Sequence, residues 1–173
     1  GSYQNRSNPL TPISPTPAVL FDTLPTQGGL HWGLATLNAP AALNALSPTM
    51  VQTLAAQLAH WAADPAVAGV LLQASGDKAF CAGGDLRHMH QALVGGSGDP
   101  VTAVQDFFTT QYALDHRIHT YPKPILCWGH GIVMGGGLGL MAGASHRVAT
   151  PGSRLAMPEV SIGLYPDVGG SWF

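Results

Sequence analysis

Two stretches between Lys123 and Phe173 hold residue types that can do chemistry. Residues 129–142 read GHGIVMGGGLGLMA, and residues 156–170 read AMPEVSIGLYPDVGG. The first carries the run Gly135-Gly136-Gly137, with Gly139 close behind. An apolar segment, Ile125-Leu126-Cys127-Trp128, precedes it and is short enough for a buried strand. Leu138, Leu140, Met141 and Ala142 follow and suggest a short buried helix. The glycines therefore sit where a strand hands over to a helix. With no Cβ in the way, a backbone N–H there can approach an oxygen closely. The helix N-terminus adds unpaired N–H groups and a partial positive charge. That combination suits an oxyanion developing during acyl transfer. Phosphate fits less well, because GGGLG lacks the GK[ST] of a P-loop and the GxGxxG spacing of a dinucleotide site.

The second stretch supplies two acids. Glu159 follows Met157-Pro158, and Asp167 follows Tyr165-Pro166. Both stand among apolar and glycine residues in a chain with only 9 Asp and Glu in total. Carboxylates in such surroundings are seldom fully buried unless paired or functional. Proline locks its own φ just before each acid, and Gly163 lets the intervening segment bend. Both carboxylates are therefore expected to face one cleft with the Gly136 N–H. Desolvation and mutual repulsion would then raise one of their pKa values.

In chain order, three motifs carry a resemblance: FCAGGD at 80–85, HGIVMGGGLGL at 130–140, and AMPEVSIGLYPDVGG at 156–170. Together they resemble the crotonase (enoyl-CoA hydratase/isomerase) superfamily. Within it they are most similar to the 3-hydroxyisobutyryl-CoA hydrolase branch. The resemblance runs from about Ala18 to Phe173. It implies an α/β fold, a spiral of ββα turns, here truncated before the family's C-terminal helices. On that reading the chain is an N-terminal portion of a longer enzyme.

The resemblance also implies roles. The Gly84 and Gly136 N–H groups would form an oxyanion hole for a thioester carbonyl. Ala42, Asn44, Lys78, Ala82 and Gly83 would contact the coenzyme A moiety, and Gln111 and Tyr112 the acyl group. Glu159 would attack the carbonyl or activate water, and Asp167 would orient a substrate hydroxyl or assist the leaving thiolate. The chain departs from the family at Ala41, where a Lys is usual, and at Gln111, where the hydrolase branch carries Glu. Gly139 stands where a hydratase has its first glutamate, and Asp167 where hydratases have glycine. One acid is lost and another gained. The implied reaction is hydrolysis of a short, branched 3-hydroxyacyl-CoA thioester. The alternatives are an enoyl-CoA hydratase or isomerase, and a non-catalytic acyl-CoA-binding member of the fold. No metal or redox cofactor is called for, since coenzyme A arrives as part of the substrate.

The rest of the chain must position these residues. Its 173 residues suit a single domain. Residues 1–17 read as a flexible arm and 18–173 as the spiral core. Ala18–Leu24 and Leu30–Leu37 read as strands joined around Thr26-Gln27-Gly28-Gly29. Ser47 is an N-cap with Pro48 behind it, for a helix to about Ala63 whose Met50, Leu54, Leu58 and Trp61 share a face. Val67–Ala74 reads as a buried strand, Asp85 as the cap of the next helix, and Asp99–His119 as helical.

A net charge of −2 with 7 Lys and Arg implies no surface for nucleic acid. No apolar run approaches the length of a membrane span. Cys81 and Cys127 sit in apolar contexts and read as reduced core thiols, which fits a cytoplasmic setting. Among the 8 histidines, His88 and His90 diverge on a helix, while His116 and His119 can share a face. None completes a zinc spacing. His130 is expected to make a packing or backbone contact. The family resemblance leaves room for a homo-oligomer.

Overall fold

A computed structural model of the chain describes residues 16–85, 91 and 99–158. The hairpin forms as expected, with β1 at Val19–Pro25 and β2 at His31–Leu37 in antiparallel register, Val19 opposite Leu37. The helix α1, Pro48–Ala63, starts where Ser47 Oγ accepts a hydrogen bond from Met50 N, and Pro48 begins its first turn. Met50, Val51, Leu54, Leu58 and Trp61 turn into the core. Next comes β3, Val67–Ala74, parallel to β2, and then the short β4, Ala79–Cys81. The helix α2, Pro100–His119, is capped by Asp99 Oδ1, which accepts from Val101 N. Its buried face holds Phe107, Gln111, Leu114 and Ile118.

The strand–strand–helix–strand turn then repeats. It comprises β5 (Ile125–Gly129), β6 (Ile132–Met134), α3 (Gly136–Gly143) and β7 (His146–Ala149), followed by β8 (Arg154–Ala156). The strands separate into two sheets. One runs β1-β2-β3-β5-β7 and the other β4-β6-β8. The expected boundaries hold to within one or two residues. β4, β6 and β8 were not anticipated as separate strands, being three residues each. Such short strands carry no readable alternation.

One core binds the layers. Trp61 lies over Gly33, where a methyl group would meet the indole at 2.6 Å, and against Phe21 in an edge-on ring contact. The α2–β5 connection is tied to the end of α1. Tyr121 Oη donates to Leu58 O, and Lys123 Nζ donates to the Trp61 and Asp64 carbonyls. A cation there also suits the negative end of the helix. No described helix is long and apolar enough to cross a membrane.

Candidate active site

Three segments meet beside the glycine cluster. The first is the loop 38–47. A 3-10 turn at Pro40–Ala42 leads into Leu43 and Asn44, both left-handed at φ 52° and 53°. Asn is among the residues that tolerate this region. Asn44 is 1% exposed, and its amide makes three hydrogen bonds within the protein. Its Oδ1 accepts from Ala39 N at 2.8 Å, and its Nδ2 donates to Ser75 O and Ala79 O at 2.9 Å. Asn44 was expected to contact coenzyme A. Its side chain clamps the loop to the β3–β4 connection.

Replacing Asn44 with Ala strands one backbone donor and two acceptors. Each buried unpaired group costs about 1–3 kcal/mol, so with three stranded Asn44→Ala is expected to lose about 3 kcal/mol or more. Denaturant unfolding of the variant measures this. A midpoint equal to wild type would contradict the clamp.

The second segment is Ala82–Asp85, leaving β4. Leu46 pairs with it as an isolated parallel bridge. Leu46 N donates to Gly83 O at 2.7 Å, and Asp85 N donates to Leu46 O at 2.9 Å. In a parallel bridge the intervening residue points its own N–H and C=O to the other side. The Gly84 N–H is therefore directed away from Leu46, and no described residue accepts from it. Gly83 adopts φ +113°, a conformation open in practice to glycine. The helix expected after Asp85 lies outside the described residues.

The third segment is the turn from β6 into α3. Gly135 N donates to Ala156 O on the neighbouring strand, and Gly135 itself has φ 50° and ψ −121°. Gly136 and Gly137 open the helix, where first-turn N–H groups have no helical partner. A methyl group on Gly83 would lie 3.9 Å from Gly136 N, so the two loops touch. A methyl group on Gly136 would lie 2.3 Å from Gln111 Nε2 and 3.3 Å from Leu46 Cδ1. Gln111, 3% exposed, thus presses its amide against the start of α3. Tyr112, one residue on, is 42% exposed and stacks on Phe108 at 6.1 Å.

The remaining nominated residues lie nearby. Ala42 and Lys78 are exposed, and Ala82 N donates to Leu43 O. Asn44 and Lys78 share the wall of a cavity of about 170 Å³ with Pro40, Ser75, Gly76, Asp77 and Ala79. His130 makes the expected backbone contact, its Nε2 lying 2.8 Å from Gly76 O. Glu159 and Asp167 lie outside the described residues, as do His88 and His90. Among the described residues, no cluster of His, Cys, Asp or Glu could hold a metal ion.

Sequence reasoning overlooked Leu46. It is fully buried, its peptide fixes the Gly84 segment, and its side chain touches Gly136. The only available signal was its place just before the Ser47 cap. It also overlooked Asp115, one turn after Gln111, whose charge helps to raise the Cys81 thiol.

Cys81 and Cys127 are free and buried. Burial pushes the Cys81 thiol up to about 12 and raises Cys127 further. Both thiols are therefore neutral at physiological pH. Iodoacetamide is expected to leave them unmodified in the folded protein and to label both after unfolding, read by intact mass. Between the thiol's ordinary pKa, near 9.0, and about 12 the unfolded chain loses the Cys81 proton while the folded chain keeps it. Stability should therefore fall as pH rises through that window. Rapid labelling at neutral pH in the native state would contradict this.

A family model for enoyl-CoA hydratase/isomerase matches residues 32–173. The chain belongs to this family. A 3-hydroxyisobutyryl-CoA hydrolase, mitochondrial, from Gallus gallus is 46% identical over 150 residues, covering 87% of this chain and 37% of that protein. The Homo sapiens protein of the same name is 42% identical over 141 residues, 82% of this chain and 36% of its own length. Among solved structures, an enoyl-CoA hydratase from Rhodobacter sphaeroides matches with TM-score 0.78 at 41% identity, covering 90% of this chain and 44% of that one. A carnitinyl-CoA dehydratase from Mycobacterium thermoresistibile matches with the same TM-score at 42% identity, covering 91% of this chain and 44% of that one.

The crotonase-type fold expected from the three motifs is the fold observed, and the chain spans well under half of the curated relatives it matches. Those relatives are named mitochondrial, so the cytoplasmic expectation finds no support in them. The family membership agrees with the meeting of the Gly83–Gly84 and Gly135–Gly137 loops, which are two of the motifs that carried the resemblance.

Proposed function

We propose that the full-length protein hydrolyses the thioester of a short, branched 3-hydroxyacyl-CoA. The observation that carries this reading is the contact between the two glycine loops, with Gly136 N 3.9 Å from where a Gly83 Cβ would stand. Two backbone donors from different segments, neither used by a described residue, are the elements of an oxyanion hole. The Gly84 and Gly136 N–H groups would polarise the thioester carbonyl and hold the charge that develops on its oxygen.

The chemistry at carbon belongs to Glu159. Either its carboxylate attacks the carbonyl, expelling the coenzyme A thiolate and leaving a mixed anhydride that water cleaves, or it takes a proton from the attacking water. Asp167 orients the substrate hydroxyl or assists proton transfer to the thiolate. The chain's path supports this arrangement, because Ala156, three residues before Glu159 in sequence, is bonded to Gly135 beside the cluster. Gly139, which can neither give nor take a proton, weighs against a two-glutamate hydratase. The names of the curated relatives support the branched hydroxyacyl substrate.

Thiol release from 3-hydroxyisobutyryl-CoA, measured beside hydration of crotonyl-CoA, tests the reading on the full-length protein. Thiol release with no hydration is the expected result. Hydration alone would favour a hydratase, and binding without turnover a non-catalytic acyl-CoA-binding protein. A single turnover in isotopically labelled water can reveal the nucleophilic role of Glu159, since label enters its side chain only when an anhydride is cleaved at the Glu159 carbonyl.

A further inference from the structure

Gln111 stands on the buried stripe of α2, with Phe107 before it and Leu114 and Ile118 after it at helical spacing. It is 3% exposed, and no described residue hydrogen-bonds its amide. The amide is not sealed in either, so part of the remaining exposure lies at its polar end. A buried amide without a partner costs free energy that a Leu or Met there would not. Packing therefore gives no reason for an amide at this position. The space it borders does. Its Nε2 comes 2.3 Å from where a Gly136 Cβ would stand, against 3.3 Å for its Cδ, so the nitrogen end faces the start of α3. Standard bond lengths then put Nε2 within about 5 Å of the Gly136 nitrogen. Leu46 Cδ1, 3.3 Å from the same point, makes the adjoining wall apolar.

We propose that the Gln111 amide is a third donor to the thioester oxygen, beside the Gly84 and Gly136 N–H groups. This rests on the acyl-CoA reading above. An oxygen about 3 Å from the Gly136 nitrogen is also within reach of Nε2. An amide nitrogen carries two hydrogens, so Nε2 can hold that oxygen without first gaining or losing a proton. As charge moves onto the oxygen during attack, the hydrogen bond strengthens, and the apolar wall keeps water from screening it. An ionised carboxylate at this point would only accept and would repel the oxyanion, so Gln fits the role and Glu does not. The target of the side chain is the carbonyl, and not a hydroxyl on the acyl chain.

The test uses the full-length protein with Gln111→Met, which keeps the length of the side chain and removes the donor. With 3-hydroxyisobutyryl-CoA and with its analogue lacking the hydroxyl, kcat is expected to fall about 100-fold on both, at nearly constant KM. The unfolding midpoint should hold or rise, because an unpartnered amide has left the core. Binding gives a second readout that needs no turnover. The carbon-13-labelled thioester carbonyl of substrate bound to Glu159→Gln protein is expected to absorb at lower infrared frequency than in free substrate. Adding Gln111→Met should return part of that shift. A loss of kcat confined to the hydroxylated substrate would make Gln111 a hydroxyl contact and overturn the proposal. So would turnover at the wild-type rate, or a carbonyl frequency that Gln111→Met leaves where it was. If the wild type releases no thiol, the hydrolase reading fails by itself, and the carbonyl shift still decides the donor.

Discussion

Glu159→Gln in the full-length protein is expected to abolish thiol release while leaving coenzyme A binding nearly unchanged. General acid–base participation is worth about 100- to 10,000-fold, and loss of a nucleophile removes the covalent route altogether. The amide keeps the size and hydrogen-bonding reach of the acid but can neither attack nor take a proton. Affinity should survive because the nucleotide end of the substrate is held elsewhere, by the loops at 38–47 and 75–79 on the proposed reading. Asp167→Asn is expected to lower turnover by less, and to hurt 3-hydroxyacyl substrates more than analogues lacking the hydroxyl. Steady-state kinetics with both substrate types, beside equilibrium binding of coenzyme A, decides the matter. Near wild-type hydrolysis by Glu159→Gln would sink the mechanism.

Gly136→Ala should lower turnover by up to about 100- to 1,000-fold, the scale for losing one oxyanion donor. The N–H itself survives the substitution, so the effect is geometric. The new methyl would stand 2.3 Å from Gln111 Nε2 and 3.3 Å from Leu46 Cδ1, distances that oblige something to move. Gln111 sits at the end of a flexible side chain, whereas Leu46 is anchored by its bridge to Gly84. If Gln111 yields, the amide that borders the site is displaced. If α3 yields, the Gly136 N–H swings off its target. Pairing Gly136→Ala with Gln111→Ser relieves the clash, and recovery of folding stability without recovery of kcat would locate the loss at the donors. Turnover unchanged in Gly136→Ala would show that its N–H takes no part in the transition state.

Much of the scaffold is decided by residues acting within a turn or two of themselves. Ser47 and Pro48 start α1, its apolar positions repeat at helical spacing, and Asp99 starts α2. These are local capping and burial effects, so the chain sequence by itself determines them. Gly135 is likewise required by its own backbone, at φ 50° and ψ −121°, whereas at Gly136 and Gly137 it is Gln111 and Cys81, brought in from elsewhere in the chain, that leave no room for a side chain. The resemblance of FCAGGD and HGIVMGGGLGL to the crotonases located the two loops before their contact was known.

Only the tertiary structure decided what meets what. Asn44 bonds to Ala79 across 35 residues, a link that exists only once β4 has returned beside the first loop. The same closure makes Asn44 a clamp between its loop and the β3–β4 connection. Leu46 became part of the site through a bridge to Gly84, and Gln111 through the crossing of α2 over the start of α3. No local pattern encodes these meetings, since each depends on loops far apart in the chain closing on one core.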